Sequence, residues 1–86
     1  MRVAYTDNFK RAWQKLSEQE KASTRKAIEH LLLDIRYPAL RVKKMQGTEN
    51  IWEARASRSI RMTFEKNGDI FILRNVGHHD ETLGKP

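Results

Sequence analysis

The sequence predicts an α+β fold, in which an N-terminal strand and a two-helix antiparallel hairpin precede a three- to four-stranded antiparallel meander. Apolar residues recur every three or four positions before Pro38, as in helices, and alternate with polar residues from Leu40 onward, as in strands. The pair Asn67-Gly68 adds the strongest short signal for a β-hairpin. Because 86 residues leave room for one hydrophobic core, we expect residues 1–86 to form a single domain.

The chain begins with a short extended segment, Val3-Ala4-Tyr5, which is followed by a helix-start signal. Either Thr6 or Asp7 can cap the first helix, since both side chains accept hydrogen bonds from free main-chain N–H groups. The apolar face of this helix is formed by residues at helical spacing, namely Phe9, Ala12, Trp13 and Leu16.

A second helix is predicted to start at Ser17, because Glu20 follows three residues later and completes a capping box. Pro38 ends this helix, since a proline disfavours the helical conformation of the residue before it. The two helices are expected to form an antiparallel hairpin. The apolar stripe of the second helix consists of Ala27, Ile28, Leu31, Leu32 and Ile35.

The second half of the chain has the alternation that is typical of strands. Leu40-Arg41-Val42-Lys43 predicts a half-buried strand, Gly47 and Asn50 predict a turn, and the segment from Ile70 to Val76 is apolar on both faces, which predicts a central strand. Between them, two strands are indicated by residues that share a face, namely Trp52, Ala54 and Ala56 in one and Ile60, Met62 and Phe64 in the other.

The register of the first hairpin follows from burial. A three-residue loop, Ser57-Arg58-Ser59, places Ala54 opposite Met62 and keeps the apolar residues on one face. A two-residue loop would turn Glu53 and Arg55 into the core, which the cost of burying charges excludes.

For the second hairpin, a two-residue loop of Asn67-Gly68 places Lys66 opposite Asp69 and Arg61 opposite Arg74. The two registers together predict a row of three arginines across three strands, Arg55, Arg61 and Arg74. Like charges opposite each other destabilise a sheet, so such a row indicates either a phosphate-binding function or a solvated face. In the second case, Glu53 and Glu65 would neutralise it. Arginine favours the first interpretation, because its planar fork fits two phosphate oxygens.

The segment Gly77-His78-His79-Asp80 follows the last strand and offers groups for proton transfer. An imidazole titrates near neutral pH, so either histidine can act as an acid or base. The other interpretation is that they cap the strand end by hydrogen bonding. We expect no metal site, because adjacent residues of an extended chain point to opposite faces and the third histidine, His30, lies in a helix.

The composition restricts the partners. Lys and Arg total 17 against 11 acidic residues, a net charge of +6, which indicates a partner rich in phosphate or an acidic protein. The chain has no cysteine, no apolar run near the ~20 residues that span a bilayer and no signal peptide, so we expect a cytoplasmic protein without membrane contact.

Three segments of the sequence resemble those of one known family. They are Ile51-Trp52-Glu53-Ala54-Arg55, Ile60-Arg61-Met62-Thr63-Phe64 and Val76-Gly77-His78-His79. Together with the order of elements, they are similar to the RelE/ParE superfamily of bacterial toxin–antitoxin toxins. The resemblance implies a microbial-ribonuclease-like fold. In the RelE-like branch it implies mRNA cleavage in the ribosomal A site, by attack of a ribose 2′-OH on the adjacent phosphate. In the ParE-like branch it implies inhibition of DNA gyrase without nuclease activity.

The resemblance also assigns site residues. Arg61 matches the arginine that contacts the scissile phosphate, Arg55 matches a basic position of the preceding strand, and His79 stands where many members have a second arginine. Leu83 stands where many ribosome-dependent nucleases have a base-stacking tyrosine. We therefore predict catalytic roles for Glu53, Arg55, Arg61, His78 and His79. RNA or phosphate binding is predicted for Arg41, Lys43, Lys44, Arg55, Arg61 and Arg74.

The resemblance therefore implies a ribosome-dependent mRNA endonuclease, which we expect to need neither a metal nor a small-molecule cofactor. Its expected partners are the ribosome, mRNA and a cognate antitoxin with an acidic, amphipathic segment. Two alternatives remain at this point: a ParE-like gyrase inhibitor, and a family member that only binds its antitoxin.

Overall fold

The computed structural model describes residues 2–86 and contains one five-stranded sheet with strand order β1-β5-β4-β3-β2. Strand β1 pairs with β5 in parallel, and the other strand pairs are antiparallel. This confirms the predicted α+β class. In chain order the elements are β1 (Arg2–Tyr5), α1 (Asp7–Gln14), α2 (Glu18–Leu33), a 3₁₀ helix (Pro38–Leu40), β2 (Lys43–Lys44), β3 (Ile51–Arg55), β4 (Ile60–Asn67), β5 (Ile70–His78) and α3 (His79–Gly84).

Both predicted helix starts are present. The Thr6 hydroxyl accepts a hydrogen bond from the Phe9 N–H at 3.1 Å and caps α1. At the start of α2, the Ser17 hydroxyl accepts from the Glu20 N–H, and the Glu20 carboxylate accepts from the Ser17 N–H. These caps satisfy main-chain donors that the first helical turn leaves without partners.

The hydrophobic core lies between one face of the sheet and the helices α1 and α2. The opposite face, here called the outer face, carries the residues that alternate with the buried ones along β3 and β4. On the outer face these are Glu53, Arg55 and Arg61, together with Thr63, which is itself buried. The buried apolar residues include Phe9, Ile28, Leu31, Ala54, Ile60, Met62, Phe64, Phe71, Leu73 and Val76.

The strand predicted over residues 40–43 is wrong for most of its length. Pro38–Leu40 form a 3₁₀ helix, in which the Leu40 and Arg41 N–H groups donate to the Tyr37 and Pro38 carbonyls. Arg41 then adopts the left-handed conformation, with φ of 47°. Because these N–H groups form local turns, only Lys43–Lys44 remain to pair with β3.

The first hairpin has the predicted register, with Trp52 opposite Phe64, Ala54 opposite Met62 and Arg55 opposite Arg61. The Ala56 N–H donates to the Ile60 carbonyl at 2.9 Å, which closes the three-residue loop Ser57–Ser59.

The second hairpin differs from its predicted register. Asn67 pairs with Ile70, so the turn is formed by Gly68 and Asp69, with Gly68 at φ of 60°. This shift by two residues leaves every side chain on its predicted face, so the hydrophobic pattern alone could not exclude it. A further irregularity between Thr63 and Phe64 changes the pairing again, and Arg61 lies opposite Gly77 instead of Arg74.

The helix α3 was not predicted. His78 ends β5 and precedes the first turn of α3, which contains Asp80 and Glu81. Acidic residues in a first turn interact favourably with the helix dipole, and this was the available sequence signal. In the part of the chain that the structure describes, no helix is long and apolar enough to span a bilayer.

Candidate functional site

The turn Ser57–Ser59 organises the candidate site through its main-chain oxygens. The Ser57 carbonyl accepts hydrogen bonds from Arg55 Nε at 3.3 Å and from Arg61 Nη1 at 2.9 Å. The Ser59 carbonyl accepts from the His79 N–H at 3.1 Å. The side chains of two arginines on adjacent strands and the main chain of the residue that follows β5 therefore contact the same turn.

Arg61 is the most constrained of these groups. Its Nη1 also donates to the Arg58 and Ile60 carbonyls, so three main-chain oxygens hold one end of the guanidinium. The remaining donors, on Nε and Nη2, can bind an anion. A guanidinium fixed in this way loses little conformational entropy when it binds a phosphate.

The electrostatics at Arg61 are those of a site that gains free energy by binding a negative charge. Partial burial is the largest cause that lowers the pKa of Arg61, followed by the positive charge of Arg55. The charge of Arg41 lowers this pKa further, whereas Glu53 raises it. Arg41 and Arg55 thus repel the Arg61 charge, and an anion bound between them would relieve the repulsion.

Glu53 and Lys43 extend the site along the outer face. Lys43 lies opposite Glu53, and its Nζ is 3.8 Å from Glu53 Oε1. The Glu53 side chain is only 13% exposed, so its negative charge acts on its neighbours with little screening. Lys44 pairs with Trp52 and therefore lies on the other face of this strand.

Arg74 does not join the arginines, so the predicted row Arg55–Arg61–Arg74 is wrong. Arg74 lies at the irregularity of β5, where it forms an ion pair with the Glu65 carboxylate and donates from Nε to the Pro86 main-chain oxygen at 3.0 Å. The Thr63 hydroxyl donates to the same oxygen. The third arginine of the cluster is Arg41, which the 3₁₀ helix and its left-handed conformation bring there.

The structure separates the two histidines. Nε2 of His78 is 3.6 Å from Glu20 Oε2, at the start of α2. His79 is held by the Ser59 carbonyl, and its Nδ1 is 3.1 Å from Asp80 Oδ1. Because an ionised carboxylate only accepts hydrogen bonds, Asp80 favours a proton on Nδ1 of His79. The lone pair on Nε2 is then available for proton transfer.

Among residues 2–86, no three His, Asp or Glu side chains come together in a group that could hold a metal ion.

Comparison with models of known protein families and with curated proteins gives no match. Solved structures do match. A chain of the RelB–RelE antitoxin–toxin complex from Methanococcus jannaschii has a TM-score of 0.76 at 22% identity, over 92% of this chain and 93% of that chain. A chain of the intact RelBE complex from E. coli has a TM-score of 0.72 at 16% identity, over 91% of this chain and 95% of that chain. The YoeB/ParE toxin from Agrobacterium tumefaciens has a TM-score of 0.74 at 13% identity, over 92% of this chain and 99% of that chain.

The chain therefore has the RelE-like fold, as its sequence predicted. The same fold is present in the matched RelE and YoeB/ParE toxin structures. In the solved complexes, the proteins with this fold are bound to RelB or DinJ.

Proposed function

We propose that this chain is the toxin of a type II toxin–antitoxin module, which acts in the cytoplasm by cleaving mRNA on the ribosome. The observation that carries the proposal is that the turn Ser57–Ser59 binds the side chains of Arg55 and Arg61 and the main-chain N–H of His79. The fold shared with RelE and YoeB/ParE toxins supports it.

In this proposal, the two arginines bind the scissile phosphate and stabilise the negative charge that develops on it. His79 accepts the 2′-OH proton through Nε2 while Asp80 holds the ring from Nδ1. The O2′–P bond forms as the P–O5′ bond breaks, which leaves a 2′,3′-cyclic phosphate and a 5′-oxygen that takes a proton from solvent. No metal is needed, because the guanidinium groups supply the positive charge.

The surrounding charges have supporting roles in this proposal. On the outer face, the cross-strand pair of Glu53 and Thr63 is next to the pair of Arg55 and Arg61. Glu53 raises the pKa of Arg61. Its negative charge would therefore offset part of the repulsion that Arg55 and Arg41 exert on Arg61. Lys43 would attract the RNA backbone, whereas Lys44 lies on the other face of β2, and Arg41 would add charge beside the phosphate.

The proposed natural partner is an antitoxin with an acidic, amphipathic segment. The solved complexes with this fold contain an antitoxin, and this chain has a net charge of +6. An acidic segment over the outer face would neutralise the arginines and exclude RNA at the same time.

The test is induced expression of the chain with genome-wide mapping of mRNA 5′ ends. We expect Arg61→Ala and His79→Ala each to reduce mRNA cleavage by on the order of 10²- to 10³-fold, because each removes a preorganised group from the transition state. Arg2→Ala is the matched control, since Arg2 lies opposite Ile70 and pairs with Asp69 at 3.7 Å, away from this site. Full cleavage by the Arg61→Ala chain would contradict the proposal.

A second candidate function is inhibition of DNA gyrase, which the presence of Leu83 in place of an aromatic residue favours. A supercoiling assay after induction separates the two functions. Loss of negative supercoiling without new mRNA 5′ ends would establish the gyrase function instead.

A further inference from the structure

A groove of about 630 Å³ adjoins the candidate site and has a strongly basic lining. It lies between α2, the 3₁₀ helix and the turn Ser57–Ser59. Among the described residues that line it, none is Asp or Glu, whereas four carry a positive charge. These are Lys26, Arg41, Arg55 and Arg58. A groove with one sign of charge concentrates anionic ligands.

An aromatic pair lines the same groove. The rings of His30 and Tyr37 are stacked, with centroids 4.2 Å apart and an angle of 1° between their planes. Tyr37 is nevertheless 41% exposed. The imidazole therefore supports a phenol ring that stays accessible at the groove. Rigid aromatic rings beside cations are the components with which proteins bind single-stranded nucleic acids.

The groove is continuous with the candidate site, because Arg55 belongs to both. Arg41 lines the groove and also acts on the charge of Arg61. An extended anionic chain bound at Arg61 can therefore continue past Arg55 into the groove without leaving positive surface.

We propose that this groove is a nucleotide subsite for single-stranded RNA, in which Lys26 and Arg41 hold a phosphate next to the scissile one and Tyr37 stacks on a base. This inference rests on the proposed function only in taking RNA as the ligand. An acidic peptide would satisfy the cations equally well, but the exposed face of the supported Tyr37 ring favours a ligand with planar bases.

The test measures binding of a short 2′-O-methylated oligoribonucleotide, which cannot be cleaved, to the full chain at several salt concentrations. Tyr37→Leu should weaken binding by about tenfold, because one base loses its stacking partner. The slope of log affinity against log salt should not change. Lys26→Gln should reduce the magnitude of this slope by about 0.7, the effect of one lost phosphate contact on a single strand.

Matched controls are available on the same fold. Tyr5→Leu changes a tyrosine of nearly equal exposure, 42%, and Lys10→Gln removes an exposed charge from α1. Both residues line a different cavity, so we expect wild-type affinity and slope. NMR titration with the same RNA should shift the signals of His30 and Tyr37 in the wild-type chain.

The inference is overturned if Tyr37→Leu binds RNA as tightly as Tyr5→Leu does. It is also overturned if the NMR signals of His30 and Tyr37 shift on addition of a glutamate-rich peptide and not on addition of RNA. That result would identify a protein partner. The proposed function has its own test, because it is contradicted if mRNA cleavage persists in the Arg61→Ala variant. The two tests are independent, since binding at the subsite is measured with RNA that cannot be cleaved.

Discussion

Arg41 has a backbone conformation that only glycine adopts without cost. Its φ is 47°, and the left-handed region costs an ordinary residue about 1–2 kcal/mol. The conformation persists because Leu40 on one side is buried and the 3₁₀ hydrogen bonds hold the chain before it. Strain of this kind is concentrated at functional sites, and here it directs a cation toward Arg61.

Arg41→Gly should therefore separate stability from function. We expect the free energy of unfolding to stay within about 1 kcal/mol of the wild type, since glycine relieves the strain but adds unfolded-state entropy. Affinity for the non-cleavable RNA should fall, because the cation is lost. Urea unfolding and RNA titration of the same preparation measure both quantities.

Arg41→Lys, which keeps the charge and the strain, is the control for that change. It should retain most of the salt dependence of RNA binding. Wild-type RNA affinity in the glycine variant would show that Arg41 takes no part in the site.

At the residue scale, the sequence predicted one of the two cross-strand neighbours of Arg61 correctly. Arg55 and Arg61 face each other as expected, because the alternation of Ala54, Met62 and their neighbours allows only one register with these apolar residues buried. The partner assigned to Arg61 was wrong for two reasons. A shift by two residues keeps every side chain on its face, and a local irregularity then places Val76 instead of Asn75 on the buried face. No local pattern marks a left-handed arginine, so the position of Arg41 could not be predicted.

At the scale of elements, the end of β5 and the helix α3 act as one unit. A Cβ atom placed on Gly77 would lie 2.8 Å from Thr82 Oγ1, and Thr82 is buried. The Asn75 amide donates to the Lys85 carbonyl at 2.9 Å, which holds the end of this unit against the strand. The close approach at Gly77 thus sets how α3 begins, and with it the position of His79.

Gly77→Ala should destabilise this unit. We expect a loss of about 1–3 kcal/mol in the free energy of unfolding, because the added methyl group overpacks a close contact. Amides of α3 should exchange faster with solvent, and the proposed mRNA cleavage should fall because His79 moves. Urea unfolding and hydrogen exchange measure the first two effects.

Gly84→Ala provides the comparison, since a Cβ atom there meets no atom within 4 Å. It should leave stability and exchange in α3 close to the wild type. Equal effects of the two substitutions would exclude the contact with Thr82 as the cause.

The elements were predictable where their signals are local. Thr6, Ser17 and Glu20 determine the helix starts through hydrogen bonds within one turn, and both starts were predicted correctly. The prediction of a strand before Lys43 was wrong, because Leu40 belongs to a 3₁₀ helix and is buried there. The alternation of apolar Leu40 with basic Arg41 only resembles that of a strand. The pairing of β1 with β5 joins residues almost seventy positions apart, and no local signal specifies it.

At the scale of the whole molecule, the excess of positive charge dominates. Six net positive charges on 86 residues attract acidic partners before any contact forms. Much of this charge lies on exposed side chains, such as Lys26 and Arg58, which salt screens effectively. Charge should thus act mainly on the rate of association.

We expect association with the proposed antitoxin to be salt-sensitive. The association rate constant should fall by about tenfold or more between about 50 mM and about 500 mM salt, as electrostatic steering is screened. The dissociation rate constant should change much less. Stopped-flow mixing with a labelled antitoxin measures both rate constants. An association rate constant that does not change with salt concentration would contradict electrostatic steering of the association.

The turn Ser57–Ser59 has a consequence for how such a site evolves. It contacts Arg55, Arg61 and His79 through carbonyl oxygens, which every amino acid possesses. The side chains of the turn can therefore change during evolution without loss of these hydrogen bonds, as long as the loop keeps its length. Two homologues could share this organising centre and have no identical residue within it.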